Sequence, residues 1–272
     1  MIIDTHIHLY DPFREGGVPW PESDDKTLYQ TTLPGRWLEQ AIPLGVDGAI
    51  VVECSGLFED NQWVLDLADQ DPRLLGLVGN LDANNDRFAE YLERFAKHPV
   101  FRGIRARGWT PVRIDRFRLL ADFDLSLDCG LDGRTIEIAA AVPQLRIIID
   151  HCAGVDMNGD DPDADHVALV QRAAEHPNVY CKLSGMMDLR CEIRPAPIKV
   201  EHYTRYLDIL WDAFGEDRMV FGSDWPVSDY SERSYADVLE LAQAYVATKP
   251  LPAKAKVFSE NARHVYKWVD RT

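Results

Sequence analysis

Short runs rich in Val, Ile and Leu recur along the chain, and between them apolar residues return every three or four positions. The runs have the length of buried strands, and the spacing between them is that of helices packed by one face. Eight strands are predicted, at roughly residues 2–8, 47–54, 74–81, 100–106, 125–130, 145–151, 179–184 and 219–224, the fifth (LSLDCGL) carrying the weakest pattern. Helical patterns fill the gaps, among them DNQWVLDLADQ, RFAEYLERFAKHP, HVALVQRAAEHP and HYTRYLDILWDAFG, most of them stopping at Gly or Pro. Strands joined in succession by helices form a parallel sheet, so the expected class is α/β, and eight such units make a (β/α)8 barrel. A single domain over residues 1–272 is expected, with a helical tail at about 251–268 and no linker.

Three stretches break the pattern: residues 9–32, 153–165 and 185–198. Each follows the C-terminal end of a predicted strand, the face on which barrels carry their active sites, so all three are expected to enclose a substrate.

Composition narrows the partners. Apolar residues at 46% and charged residues at 27% are ordinary for a globular chain. A net charge of −16 argues against nucleic acid and anionic lipid, and no apolar run approaches the ~20 residues that span a bilayer. A small-molecule substrate is the expected partner. Cys54, Cys129, Cys152, Cys181 and Cys191 form an odd set without a CxxC pair, which fits free thiols in a reducing compartment. With no export signal in MIIDTHIHLYD, a cytoplasmic location is expected.

The chemistry gathers at strand ends. In Asp4-Thr5-His6-Ile7-His8 the period of two puts both imidazoles on one face. Two histidines at this spacing can also be ordinary hydrogen-bonded residues. The signal gains from IIIDH, which places His151 at the mouth of the sixth strand, and from FGSDWP, which places Asp224 at the mouth of the eighth. Three imidazoles and a carboxylate suit one divalent metal, zinc first, while Asp224 could instead serve mainly as a general base. Cys152 beside His151 is read as a small buried apolar group, and the acidic run at 156–165 lacks the order of a calcium loop.

The stretches DTHIHLYDP, VVECSGLFEDNQWVLDLA, GLVGNLD, FRGIRARGW, LRIIIDHCAG, NVYCKLSG, RMVFGSDWPV and FSENARHVY span nearly the whole chain and are similar to the amidohydrolase superfamily. Within it they resemble the amidohydrolase-related branch that contains sugar-lactone and 2-pyrone-4,6-dicarboxylate lactonases. The resemblance implies a distorted (β/α)8 TIM barrel and hydrolysis of a lactone ring. It implies that Asp224 takes a proton from water while His6, His8 and His151 stabilise the oxyanion, through one metal or directly. Binuclear members of the superfamily use a carboxylated lysine on strand four, and VFRGIRARG has none, so a second metal is not expected. Zinc decarboxylases of the superfamily share the HxH pair, a later His and the final Asp, which keeps a decarboxylase as the alternative reaction. A barrel that binds a metabolite without turnover is a third reading, opposed by the presence of all four residues.

Alternation also places Arg105 with Gly103 and Arg107, and Lys182 with Tyr180 and Ser184. Facing inward, Arg105 and Lys182 would neutralise an anionic group on the substrate, or else pair with a barrel acid such as Glu53 or Asp128. Glu53 closes the second strand and could supplement the site. Trp20, Trp109 and Trp225 lie in rim loops and could wall a sugar ring, and His202 follows the 185–198 loop within reach of the same mouth.

Overall fold

The computed structural model describes residues 1–106 and 110–271. Among them lie eight strands in the order of the chain: β1 (Ile3–Ile7), β2 (Gly48–Val52), β3 (Leu74–Gly79), β4 (Phe101–Arg105), β5 (Ser126–Cys129), β6 (Arg146–Ile149), β7 (Val179–Leu183) and β8 (Met219–Phe221). Every neighbouring pair from β1 to β8 is parallel. The connecting helices are α1 (Pro34–Ala41), α2 (Asp60–Gln70), α3 (Phe88–Ala96), α4 (Ile114–Asp122), α5 (Gly133–Ala141), α6 (Ala164–Ala174) and α7 (Val200–Phe214). After β8 come α8 (Tyr235–Val246), the short α9 (Ala253–Ala255) and α10 (Asn261–Tyr266). All eight predicted strands are present, and the architecture is a (β/α)8 barrel.

Alternation along the strands sorts the core into two parts. Ala49, Val51, Leu77, Ile104, Leu127, Ile147 and Cys181 pack outward under the helices, against Trp37, Phe88, Phe95 and Phe117. Ile50, Val52, Val78, Ile148, Tyr180 and Val220 fill the lumen. The tail closes that lumen from below with Ala262, Val265, Tyr266 and Trp268. Arg146 Nε donates to Val265 O at 2.7 Å and Asn261 Nδ2 to Met219 O at 2.8 Å, which fastens α10 to the barrel. The predicted tail is thus the floor of the barrel.

The distortion lies between β8 and β1. No regular ladder joins them; a single bridge pairs Ile7 with Trp225, beyond the end of β8. Two bonds close the rim there, His8 N to Trp225 O at 2.8 Å and Asp224 N to His6 O at 2.9 Å. No helix among the described residues is long and apolar enough to cross a membrane. The five cysteines are buried and free.

Candidate active site

The closing seam brings the first residues of the site together. His6 and His8 point into the barrel as alternation requires, both buried. His8 Nδ1 donates to Val52 O at 2.9 Å, so its Nε2 carries the lone pair and faces Asp224 Oδ1 at 3.3 Å. His6 Nε2 lies 3.4 Å from the same oxygen.

Asp224 reaches this position through a backbone that departs from the strand. Its φ of 61° is left-handed, a conformation uncommon outside glycine and held here by its neighbours. Asp4 is one source of that constraint. Its buried carboxylate accepts Ser223 N at 2.8 Å, Ser223 Oγ at 2.6 Å and Tyr235 OH at 2.9 Å, gripping the residue just before Asp224. Gly222 is the other, because a Cβ there would stand 2.7 Å from His6 Cβ. The seam can close only over a glycine.

His151 is aimed by a turn rather than by a strand. β6 ends at Ile149, and His151, Cys152 and Ala153 follow with φ of 49°, 52° and 51°. The ring is pressed against Gly185, where a Cβ would lie 3.0 Å from Nδ1, and His151 N donates to Ser184 Oγ at 3.2 Å. Arg105 Nη2 donates to His151 Nε2 at 3.0 Å, which leaves the ring proton on Nδ1, 3.6 Å from Asp224 Oδ2. Arg105 Nε also donates to Asp150 Oδ2 at 2.9 Å. Below them Lys182 Nζ meets Asp128 Oδ2 at 2.6 Å and Asp150 Oδ1 at 3.0 Å, and Tyr266 OH donates to Asp128 at 2.8 Å. A chain of charges therefore runs from the floor helix to the rim.

Burial and these neighbours set the charges. Desolvation pushes Asp224 up to about 7, against the pull of Arg105. Burial and the facing Asp224 carboxyl hold Asp188 well above the usual carboxylate range. Burial would raise Asp150 too, but Lys182 and Arg105 outweigh it and keep it well below its ordinary value. His6 and His151 are driven well below theirs by burial, and both are neutral at pH 7.

Above this floor opens a cavity of ≈ 210 Å³, lined by His8, Trp20, Cys54, Arg105, His151, Leu189, Asp224 and Val227. The sequence matches the amidohydrolase family model over residues 3–268. This chain belongs to the amidohydrolase family. It is 31% identical to an L-fucono-1,5-lactonase of Burkholderia ambifaria, over 99% of this chain and 96% of the relative. In fold it is similar to an amidohydrolase of Burkholderia multivorans crystallised with bound zinc, at a TM-score of 0.86 and 22% identity over 99% of this chain and 100% of that one. A second solved structure, a putative 2-pyrone-4,6-dicarboxylic acid hydrolase of Pseudomonas putida, matches at 0.75 and 20% identity, covering 98% and 97% of the two chains.

The amidohydrolase has a donor set that fits one metal ion. His6, His8 and Asp224 offer ligand atoms within 4.8 Å of one another, and His6 Nε2 and both Asp224 oxygens receive no hydrogen bond from an N–H or hydroxyl donor among the described residues. Their separations of 3.3 and 3.4 Å match the ~3.3 Å edge of a tetrahedron with bonds of about 2.05 Å. A second group, His6, Asp150 and His151, is less suited, because Arg105 and Lys182 already neutralise Asp150 and would repel a dication. The structure sets His151 apart from the first group, its Nε2 turned to Arg105.

The other expected residues divide. Trp20 stands on the cavity wall, edge-on to His8. Arg105 also lines the cavity, held by Asp150. Lys182 is fully buried beneath His6 and has no surface in the cavity, so its charge is spent on the barrel acids. Glu53 lies on a smaller neighbouring cleft and adds its charge to those that hold Arg105 protonated. Trp225 is no wall for a sugar: it is completely buried, with Arg36 over its ring, because its peptide is consumed in closing the seam. His202 does not reach the mouth; its Nε2 donates to Met157 O at 2.8 Å. Trp109 and Arg107 fall outside the described residues.

Residues 9–32 and 185–198 do contribute to the cavity, through Trp20 and Leu189, whereas the acidic loop after β6 instead borders a separate hollow beside His166. Four residues escaped the sequence. Asp150 was legible in IIIDH, but strict alternation would have turned it away from His151. Asp4, Asp188 and Tyr266 carried no local signal.

Proposed function

We propose that this amidohydrolase opens the ring of a small, uncharged sugar-acid lactone. The observation that carries the reading is Asp224, a carboxylate raised to about 7 at the floor of the cavity with two neutral imidazoles beside it. It supports general-base catalysis near neutral pH. Asp224 takes a proton from water, the oxygen attacks the ring carbonyl, and the bond from that carbon to the ring oxygen breaks. The proton then passes from Asp224 to the leaving alkoxide. Arg105, fixed by Asp150 and His151, presents a guanidinium to the carbonyl oxygen as it gains charge. Bound at His6, His8 and Asp224, a divalent ion would supply further polarisation of the carbonyl and a more acidic water.

The wall favours a neutral lactone over a carboxylated one. Arg105 is the one permanent cation among the described lining residues and is already paired, while Asp224 lines the same wall. Trp20, Leu189, Val227 and Cys54 offer an apolar face to the carbons of a ring. The lactonase name of the Burkholderia ambifaria relative supports the same class. The test is a panel of aldonolactones and pyrone carboxylates at pH 7, followed by acid release with a pH indicator. Turnover of neutral sugar lactones is expected. Turnover confined to pyrone carboxylates, or carbon dioxide release from aromatic acids without lactone hydrolysis, would refute the proposal.

A further inference from the structure

We infer that Lys182 fixes the ring tautomer of His6, with the proton on Nε2, and so weakens the site that His6, His8 and Asp224 offer a divalent ion. The inference rests on the reading of that triad given above. Lys182 is wholly buried in the lumen and has three N–H groups. Three acceptors surround it: Asp128 Oδ2 at 2.6 Å, Asp150 Oδ1 at 3.0 Å and His6 Nδ1 at 3.1 Å. An ammonium only donates, so the histidine nitrogen it meets is the one with the lone pair. The ring proton then sits on Nε2, facing Asp224 Oδ1 at 3.4 Å.

The opposite tautomer has a partner as well, because Asp150 Oδ1 lies 3.4 Å from the same His6 Nδ1. That contact is the longer of the two, and Asp150 is already ion-paired with Lys182 and accepts from Arg105. Choosing it would press an imidazole N–H against an ammonium N–H and leave one Lys182 donor buried without an acceptor, at a cost that a closed interior does not relieve. His8 shows the contrast. Its Nδ1 donates to a backbone carbonyl and its Nε2 lone pair faces Asp224 Oδ1 at 3.3 Å, the tautomer that metal-ligating histidines use. The two histidines of one motif therefore carry opposite tautomers, His8 with its Nε2 lone pair and His6 with its Nε2 proton turned toward Asp224. For an ion to bind, the Nε2 proton of His6 must move to Nδ1 and Lys182 must lose a partner.

Two measurements on the full chain test this. In the metal-free wild type, long-range ¹⁵N correlation spectra of the histidine rings, with His6 assigned from a His6→Asn variant, are expected to show Nε2–H for His6 and Nδ1–H for His8. Titration with zinc chloride by calorimetry then compares the wild type, Asp128→Asn and the charge-balanced pair Lys182→Met with Asp128→Asn. The double variant is expected to bind zinc at least about tenfold tighter than either. A His6 ring protonated on Nδ1 in the metal-free wild type, or a folded double variant with no gain in zinc affinity, overturns the inference. If the double variant does not fold, the wild-type spectra decide alone. Lactone turnover is read separately, so its absence would remove the proposed reaction and leave these results standing.

Discussion

Asp4 holds Ser223 by two bonds at once, the backbone N at 2.8 Å and the hydroxyl at 2.6 Å, and Ser223 in turn carries Asp224 in its left-handed turn. The position of the proposed base thus depends on the carboxylate of the fourth residue, more than two hundred positions away in the sequence. Ser223 Oγ also accepts Trp225 N at 3.0 Å, so the hydroxyl ties both sides of Asp224.

Replacing Ser223 with Ala should cost about 2 kcal/mol of stability, because it removes a bond to a buried carboxylate and leaves the Trp225 N–H unpaired. Turnover should fall about tenfold or more, in kcat rather than KM, as Asp224 loses its fixed direction. Urea unfolding and steady-state kinetics on one preparation check both.

Asp224→Asn removes the base and keeps the shape. A loss of about 10²- to 10⁴-fold in kcat is expected with a folded protein. Retained turnover would assign the base to another group.

The pH dependence follows from the same residue in the metal-free protein. Asp224 must be ionised to accept a proton, so kcat/KM should rise as pH climbs toward about 7 and level off above it. Stability should run the other way. The folded value lies above the unfolded carboxylate value, so the folded protein holds a proton that the unfolded chain releases. The associated stability is full below the unfolded pKa and is lost as pH rises through about 7. Asp224→Asn should therefore gain Tm over the wild type progressively between acid and neutral pH, and by a constant amount above. Thermal melts across that range give the answer.

Arg105 reaches Asp150 through Nε and His151 through Nη2, a pair of bonds that a lysine does not reproduce. Arg105→Lys should lower kcat/KM about 100-fold, with the larger share in kcat. Guanidine added in solution should restore part of the loss to a smaller variant, Arg105→Gly.

Tyr266 couples the floor of the barrel to the site. Tyr266→Phe leaves Asp128 with its Lys182 ion pair and should cost about 2 kcal/mol in urea unfolding. A change within the error of the measurement would show that the tail acts only by filling space.

The barrel and part of the site were legible because each rests on a local period. Eight buried runs with helices between them have few arrangements open to them, and a period of two places His6 beside His8 whatever the rest of the chain does. Asp224 and His151 stood out as polar groups ending apolar strands. Asp150 did not, because β6 stops at Ile149 and the left-handed turn after it brings consecutive residues to the same site.

The residues themselves thus determined a succession of strands and helices and the chemistry at their ends. Tertiary structure decided which carboxylate is ionised, which imidazole nitrogen carries the proton and which cation faces the cavity. The reason is physical: these properties depend on burial and on partners from distant parts of the chain. Lys182 meets Asp128 and His6, Asp4 meets Ser223, and Tyr266 meets Asp128 only when the barrel closes.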